Sequence, residues 1–407
     1  MKRTTWLAVV GLGEDGLEGL SPYAHFLIET ADVLVGGERH LSKVSGGSQE
    51  QLAWGKNFDA TLDEIETRRG KNVTILASGN PMYFGAGSVI ARRFGPKEIT
   101  VIPVPGAFSL AASRMGWSLP DAKTVTIHGR PLESLNLYLA PGQNLLILSR
   151  DGGSPQEVAA LLTEKGFGQS RITVFEHMGG AEEKRIEGVA ESWSYPRCAD
   201  LNSIAVECIA GPTARPLTRL AGLPDDVFEH DGQLTKREVR AVTLAALAPL
   251  PHQTLWDLGA GAGSIAIEWL RSERWTRAVA VEQDSGRVAL IARNAANLGV
   301  PGLKVVEGDI ISVLDELGPA PDAIFVGGGV SDPGLLEACW AKLSFRGRLV
   351  VNAVTVEGEH RLLDFQSKHG GELTRISVER AEPVGKLSGF KPHRPVIQYA
   401  CVKTESC

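Results

Sequence analysis

The chain has little of what several protein classes require. Its five cysteines are widely spaced and form no CxxC pair, so neither a disulfide framework nor a zinc site is expected. No run approaches the roughly 18 consecutive apolar residues of a membrane helix. Acidic residues outnumber basic ones, giving a formal net charge of -6, so a nucleic-acid partner gains no bulk electrostatic support. These shortages predict a cytoplasmic protein with no bound metal and no membrane or nucleic-acid partner.

Apolar strand-like runs alternate with helix-like stretches along the whole chain, which is typical of α/β proteins. The first run, Trp6–Val10, is too short for a secretory signal and ends at glycine, so we predict a strand there. The predicted strands are Trp6–Val10, Val33–Val35, Val73–Leu76, Thr100–Pro103, Val125–His128, Leu145–Leu148, Ile172–Phe175, Ser203–Val206, Thr254–Leu258, Ala278–Glu282, Lys304–Glu307, Ala323–Val326, Arg348–Asn352, Glu372–Val378 and Val396–Val402.

The alternation is interrupted by turn-forming residues between about 210 and 225. We therefore predict one domain at 1–210, a linker at 211–225 and a second domain at 226–407. A long loop within a single domain is the alternative. About seven strands in the second half indicate a doubly wound sheet.

A glycine-rich turn opens the second half. Asp257-Leu258-Gly259-Ala260-Gly261-Ala262-Gly263 follows a strand and precedes a helix that begins at Ser264. The GxGxG spacing weakens a dinucleotide interpretation, and the absence of GK[ST] excludes a P-loop. The next strand ends in Glu282, where a carboxylate can accept hydrogen bonds from a ribose. Asp309 follows the third strand.

This arrangement resembles motif I of the class I S-adenosylmethionine-dependent methyltransferases. The resemblance implies that the glycines pass close to the methionine part of the cofactor, with Glu282 at the ribose and Asp309 near the adenine. A tight turn that binds nothing is the alternative. Gly327-Gly328-Gly329 stands where enzymes that methylate exocyclic amines usually carry Asn/Asp-Pro-Pro-aromatic. This difference argues against amine methylation in nucleic acid and favours a large, flat substrate, although a plain flexible loop has the same composition.

The first half opens on a second glycine turn, Gly11-Leu12-Gly13-Glu14-Asp15-Gly16. It matches GxGxxG, but Glu14 and Asp15 are expected to repel a pyrophosphate. Gly19 and Pro22 are also expected to interrupt the helix whose dipole would bind phosphates. A dinucleotide site is therefore not predicted here.

Five segments in this half, taken together, resemble the class III, or tetrapyrrole, methyltransferases. They are the glycine turn at residue 11, Leu76-Ala77-Ser78-Gly79-Asn80-Pro81, Pro103-Val104-Pro105-Gly106-Ala107-Phe108-Ser109, His128-Gly129-Arg130 and Glu182-Glu183-Lys184-Arg185-Ile186. This chain has Glu14-Asp15, Asn80 and Phe108 where the family usually has Pro-Gly, Asp and Ser. The resemblance implies an S-adenosylmethionine site in a cleft between two α/β subdomains.

The second half begins with Gly222–Phe228 and Leu234–Arg240, which are similar to the decarboxylating precorrin C15-methyltransferases. The whole chain thus resembles the precorrin-6Y C5,15-methyltransferase (decarboxylating) family of vitamin B12 synthesis. The resemblance implies a tetrapyrrole-methylase fold of two α/β subdomains followed by a Rossmann-like class I methyltransferase with a seven-stranded sheet. It also implies methylation of ring carbons 5 and 15 and loss of carbon dioxide from the acetate on carbon 12, giving precorrin-8X.

The same resemblance implies two S-adenosylmethionine sites. The residues implied to hold the cofactor are Gly11, Gly13, Gly79, Asn80, Tyr83, Phe108 and Ser109 in the first half, and Thr235, Gly259, Ala260, Gly261, Ala262, Gly263, Glu282 and Asp309 in the second.

A substrate rich in carboxylates requires local cations in this acidic protein. The residues predicted to bind the substrate are His128, Arg130, Arg185, Arg237, Lys386 and Arg394, with Arg114, Lys391 and His393 as further candidates. For each, a solvated surface position is the alternative. No catalytic acid or base is assigned. Cys208 and Cys339 lie in apolar stretches and are predicted core residues.

We expect a homo-oligomer that acts on a small-molecule tetrapyrrole. Two competing hypotheses remain at this point. One is a class I methyltransferase for RNA or protein with an accessory N-terminal domain, and the other is a non-catalytic nucleoside sensor or assembly protein.

Overall fold

The computed structural model describes residues 1–44 and 47–404. The chain folds into two compact units. The first comprises Met1–Leu132 and Ala140–Arg215, and the second comprises Glu133–Leu139 together with the described residues from Pro216 onward. The chain thus passes from one unit to the other at a point inside the predicted linker. The assignment of residues 211–225 as a linker stays a prediction.

Among its described residues, the first unit contains two five-stranded sheets and six α-helices. Its strands are β1 (Leu7–Leu12), β2 (Val33–Gly36), β3 (Glu50–Ala53), β4 (Val73–Ser78), β5 (Ile99–Ile102), β6 (Lys123–Thr126), β7 (Asn144–Leu148), β8 (Arg171–Glu176), β9 (Lys184–Val189) and β10 (Asn202–Glu207). Its α-helices are α1 (Pro22–Glu29), α2 (Glu38–Lys43), α3 (Phe58–Glu66), α4 (Gly87–Phe94), α5 (Ala107–Met115) and α6 (Ser154–Glu164).

The first sheet has the order β3-β2-β4-β1-β5 and is parallel throughout. Apolar clusters cover both of its faces, as a parallel sheet requires. Because β4, β1 and β5 are neighbours, the turns that follow them leave the same edge of the sheet. The second sheet has the order β6-β7-β10-β8-β9, in which β6 and β7 are parallel and the other pairs antiparallel.

In the part of the second unit that the structure describes, there are a seven-stranded sheet, a two-stranded hairpin and six α-helices. Its strands are β11 (Thr254–Leu258), β12 (Arg277–Glu282), β13 (Lys304–Glu307), β14 (Ala323–Val326), β15 (Arg348–Ala353), β16 (Glu372–Ile376), β17 (Glu379–Val384), β18 (Leu387–Pro392) and β19 (Val396–Val402). Its α-helices are α7 (Arg237–Leu247), α8 (Ser264–Ser272), α9 (Ser285–Asn297), α10 (Ile310–Val313), α11 (Leu335–Lys342) and α12 (Val356–His369). Short 3-10 helices occur at Leu132–Tyr138, Ala190–Ser192, Asp225–Val227 and Leu314–Glu316.

The large sheet has the order β13-β12-β11-β14-β15-β19-β16. Strands β11 to β15 are parallel, while β19 runs antiparallel to β15 and β16. The order reverses between β11 and β14, and ligands of open α/β sheets bind at the crevice outside such a switch point. Side chains of β11 alternate between two cores: Leu255 packs in one and Trp256 in the other. The predicted seven-stranded, doubly wound sheet is confirmed.

Each strand predicted from an apolar run is present, with ends that move by one or two residues. The predicted burial of Cys208 and Cys339 is also confirmed. Four strands were missed: β3, β9, β17 and β18 are polar and largely exposed. As expected, no helix opens at the first glycine turn, since the first helix of the chain, α1, begins only at Pro22. Pro22 is the first residue of α1, where its missing N–H costs nothing, and the Ser21 side chain caps that helix.

None of the helices in the described chain is long and apolar enough to cross a membrane.

The Lys403 side chain caps the C-terminal end of helix α11. This side chain is buried, and Nζ donates to the carbonyl oxygens of Trp340 at 2.7 Å and Leu343 at 2.9 Å. These oxygens are left unpaired by the helix itself. We expect Lys403→Met to lower the free energy of unfolding by about 2–3 kcal/mol, since it removes charged hydrogen bonds from buried acceptors. Chemical denaturation measures this. Lys342→Met removes only an exposed ion pair to Asp315, and its loss should stay below about 1 kcal/mol.

Candidate active sites in the two units

The turn after β11 has the geometry that its glycines predict. Gly259, Gly261 and Gly263 have φ angles of 74°, 59° and 77°, in the left-handed region. A Cβ on Gly259 would lie 2.9 Å from the backbone nitrogen of Gly328, so the turns after β11 and β14 touch through their backbones. A side chain at residue 259 would be both strained and obstructed. The turn therefore presents bare backbone at the switch point of the sheet.

Glu282 lies beneath this turn at the end of β12 and is almost fully buried. Its Oε2 accepts a hydrogen bond from the Gly261 amide at 2.8 Å, and Oε1 accepts from the amides of Gln283 and Asp284 at 3.1 Å. The carboxylate is thus fixed against the turn by three backbone donors. Its predicted contact with a ribose stays a prediction.

A cavity of about 430 Å³ opens beside the turn. That volume lies in the range of small-molecule sites. The lining includes predicted site residues from three segments: Thr235, Gly259, Ala260, Gly261, Ala262 and Arg394. Phe325, Asn352, Ile376, Val378 and His393 also line it. A Cβ at Gly259 would obstruct this turn. The glycines present therefore fit a cofactor that approaches the backbone closely, as the predicted one does.

Other predicted residues of the second unit lie outside this lining. Gly263 caps helix α8, and a Cβ there would meet Ile291 at 2.8 Å. Asp309 is exposed and caps α10, with its carboxylate accepting from the Ser312 amide at 3.1 Å. Arg237 is exposed at the start of α7, and Lys386 is exposed at the turn of the β17–β18 hairpin. Their roles stay predictions.

Sequence reasoning missed a buried ion pair behind the cavity. Arg240 and Glu268 have 0% and 2% of their surface exposed, and Nε lies 2.5 Å from Oε1. Glu268 also accepts from the amides of Gly222 and Leu223, while Arg240 donates to the carbonyl oxygen of Thr235. The pair therefore fastens residues 222–235, which we call the leading segment, to helices α7 and α8. The two charged residues of the otherwise mostly apolar helix α8, Glu268 and Arg271, were the available signal.

Asp257 is the second group to which sequence reasoning gave no role. It is fully buried at the end of β11. Oδ2 accepts from the Ala266 amide at 2.9 Å, whereas Oδ1 has no hydrogen-bond partner among the described residues. Burial raises the pKa of the Asp257 carboxyl from 3.8 to about 7, and the charge of Glu282 adds to the rise although the Ala266 amide opposes it.

The raised pKa predicts a pH-dependent stability. Between about pH 4 and pH 7 the folded state keeps a proton that the unfolded chain releases, so the free energy of unfolding falls as pH rises through this window. Asp257→Asn mimics the neutral form. At about pH 8 we expect it to be more stable than the wild type by on the order of 4 kcal/mol. Urea denaturation at several pH values measures this, with the exposed Asp315→Asn as control. Identical pH profiles for Asp257→Asn and the wild type would refute the shift.

In the first unit, three predicted turns meet. A Cβ on Gly11 would lie 2.0 Å from the carbonyl oxygen of Gly79, and one on Gly79 would lie 2.7 Å from the Cα of Gly106. The turns after β1 and β4 and the one before α5 are therefore in backbone contact. Asn80 shapes its own turn, because its Oδ1 accepts from the Met82 amide at 3.0 Å.

An aromatic cluster lies beside these turns. The ring of Phe108 is 5.5 Å from that of Tyr83 and 5.8 Å from that of Phe84. The guanidinium of Arg130 lies 5.7 Å from the Phe84 ring. The structure thus brings together three residues that were predicted separately, Tyr83, Phe108 and Arg130. Phe84, which was not predicted, lies among them. The predicted residues Ser109, His128 and Arg185 are exposed; Arg185 is ion-paired to Glu187.

Glu14 does not act as the unpaired anion that the sequence suggested. It forms ion pairs with Arg39 and with Lys43, the latter at 3.0 Å. Burial works to raise the pKa of Glu14, but Lys43 and Arg39 outweigh it and hold the pKa below its usual value. The repulsion expected from Glu14 is therefore largely cancelled, and the cations that cancel it were not predicted.

The cavity in this cleft is small. It measures about 90 Å³ and is lined by Gly13, Glu14, Arg39, Gly79 and His177, among others. Sites for small molecules usually measure about 300–1,000 Å³. The cavity is therefore smaller than such sites, and the Arg39 side chain lies in its lining.

Comparisons with known proteins match each half of the chain to a methyltransferase family. Residues 7–193 match the tetrapyrrole (corrin/porphyrin) methylase family, and residues 226–403 match the precorrin methyltransferase domain. A precorrin-6Y C(5,15)-methyltransferase (decarboxylating) of a Sinorhizobium species is 47% identical over 98% of this chain and 96% of its own length. A protein of the same name from Mycobacterium tuberculosis is 39% identical over 98% of this chain and its full length.

Among solved structures, the C-terminal domain of precorrin-6Y C5,15-methyltransferase from Rhodobacter capsulatus is 38% identical. The match covers 46% of this chain and all of that domain, with a TM-score of 0.43. The identity and coverage of the full-length relatives decide the assignment: the chain belongs to the precorrin-6Y C(5,15)-methyltransferase (decarboxylating) family.

Proposed function

We propose that this enzyme uses S-adenosylmethionine to methylate precorrin-6Y at ring carbons 5 and 15 and removes carbon dioxide from the acetate on carbon 12, giving precorrin-8X in cobalamin biosynthesis. The observation that carries this proposal is the 47% identity to a precorrin-6Y C(5,15)-methyltransferase (decarboxylating) along almost the whole of both chains. The two sets of glycine turns, one in each unit, support it independently of that name.

We further propose two cofactor sites. In the second unit, Gly259–Ala262, Glu282 and Thr235 would hold S-adenosylmethionine. In the first unit, the interlocked turns at Gly11, Gly79 and Gly106 would hold a second molecule once the cleft opens. The bound cofactor supplies an electrophilic methyl group. The chain's own contribution is to hold the accepting carbon in line with it, because positioning accounts for much of the catalysis in such a transfer.

The cavity of the second unit suits decarboxylation. Val239, Ile265, Phe325 and Val354 give it apolar walls, and Lys236 and Arg394 give it cations. Apolar walls desolvate a carboxylate and favour its departure as neutral carbon dioxide. Cations hold the carboxylates that remain. We therefore assign carbon-15 methylation and decarboxylation to the second unit and carbon-5 methylation to the first.

Incubation of the full chain with precorrin-6Y and S-adenosylmethionine, followed by mass spectrometry, tests the reaction. We expect a product that has gained two methyl groups and lost one carbon dioxide. Gly11→Val in the full chain tests the division of labour, because it obstructs the first site alone. Its product should be decarboxylated and methylated at carbon 15, as NMR would establish. A product methylated at carbon 5 would refute the division.

A further inference from the structure

The proposed reaction at carbon 15 needs a proton to be moved. Methylation of carbon 15 breaks its C–H bond, and loss of carbon dioxide leaves the acetate CH₂ carbon in need of one hydrogen. The electron pair of the broken bond to the carboxylate enters the conjugated ring, and a pair from the ring forms the bond from carbon 15 to the methyl group. The pair of the broken C–H bond returns to the ring, and a ring pair forms the new C–H bond at the CH₂ carbon. The proton released at carbon 15 balances the one gained by the CH₂ carbon, so no proton is consumed overall. A group that accepts and then donates one proton completes the step.

The cavity of the second unit offers few groups for this task. Among the described residues that line it, those with ionisable side chains are Lys236, His393 and Arg394. A guanidinium does not release its proton in proteins. An imidazole both accepts and donates a proton near neutral pH and is the side chain most often used for such transfers.

The placement of His393 fits this use. It follows β18, and its amide donates to the carbonyl oxygen of Val378 at 2.9 Å, which fixes its backbone beside the cavity. Its Nε2 is buried and has no hydrogen-bond partner in the part of the chain that the structure describes. Buried polar atoms in native proteins are almost always paired, so an orphaned one calls for an explanation. A substrate atom beside Nε2 would supply the missing partner.

We propose that His393 is a catalytic residue that takes the proton from carbon 15 and delivers it to the acetate carbon as carbon dioxide leaves. This inference rests on the proposed function and adds the proton carrier that it lacks. The new hydrogen of the carbon-12 methyl group then comes from Nε2 of His393.

Exchange of the carbon-15 hydrogen tests the proposal without the methyl donor, because a deuteron that adds at carbon 15 takes the place of the methyl group and the original proton must then be removed. The full-length enzyme and precorrin-6Y are mixed in deuterium oxide, and NMR follows deuterium entering at carbon 15. We expect His393→Gln to slow this exchange, and the release of carbon dioxide in complete reactions, by on the order of 100-fold or more. The dissociation constant for S-adenosylmethionine should change by less than about threefold, because the amide keeps the size of the site.

Two further variants make the result decisive. His360→Gln changes an exposed histidine on α12 and should match the wild type. His393→Ala leaves space, so added imidazole should restore exchange and carbon dioxide release, which a merely structural role would not allow. Unchanged rates in His393→Gln, or no rescue of a folded His393→Ala, would overturn the proposal. A wild-type enzyme that fails to methylate carbon 15 would instead overturn the proposed function.

Discussion

Gly259→Val is expected to reduce the number of S-adenosylmethionine molecules bound per chain from two to one and to abolish decarboxylation. Valine at this position must adopt a φ near 74°, and its Cβ would lie 2.9 Å from the backbone nitrogen of Gly328. The strained left-handed φ of a valine and the distorted turn together should weaken S-adenosylmethionine binding at this site by on the order of 100-fold or more. Isothermal titration calorimetry gives the stoichiometry, and labelled carbon dioxide gives the second readout.

The control for this variant is another glycine of the same unit. Gly302 has an ordinary φ, and a Cβ built on it meets nothing within 4 Å. Gly302→Val should therefore bind two cofactor molecules and retain both activities. If Gly259→Val also bound two molecules with wild-type affinity, the turn after β11 would not be a cofactor site.

Arg240→Met is expected to destabilise the second unit by about 3–5 kcal/mol, the usual result of leaving one member of a buried ion pair without its partner. Glu268 would remain in an almost solvent-free position without Nε of Arg240, which lies 2.5 Å from it in the wild type. The leading segment would also lose the guanidinium that holds the Thr235 carbonyl. Hydrogen exchange measured by mass spectrometry should show lost protection in residues 222–235, and urea denaturation gives the free energy.

Arg293→Met serves as the matched comparison. Its ion pair with Glu229 joins two half-exposed side chains at 3.0 Å, and such pairs contribute less than about 1 kcal/mol. Equal losses of stability in the two variants would show that burial of the Arg240–Glu268 pair has no special effect.

Most strands of the first sheet and of the seven-stranded sheet were predictable because their local sequence is apolar enough to indicate burial. Runs such as Leu7–Leu12 and Ala323–Val326 are apolar on both faces, and a covered parallel sheet requires that composition. The β17–β18 hairpin escaped prediction for the opposite reason. Its residues are mostly exposed and mix charged with apolar side chains, so neither periodicity nor apolar content marks them.

The glycine turns were predictable because few residues tolerate their φ angles and close approaches. The ion pairs and the positions of the substrate-binding cations were not predictable. Arg240 and Glu268 are 28 residues apart, and nothing in the sequence around either predicts that they pair. Cations such as Arg237 and Lys386 have the residue type that the substrate needs, yet exposed cations are common on any surface. Only the fold distinguishes them from Arg394 and His393, which line the cavity.

The position of β19 inside the large sheet bears on how the chain folds during its synthesis. Strand β19 lies between β15 and β16 and is the only strand paired with β16 among the described residues. A nascent chain that has emerged only as far as residue 395 therefore has an open edge on β15 and no pairing for β16, and such edges promote aggregation. All strands of the first unit emerge by residue 207 and can assemble first. The large sheet of the second unit can be completed only after β19 has emerged.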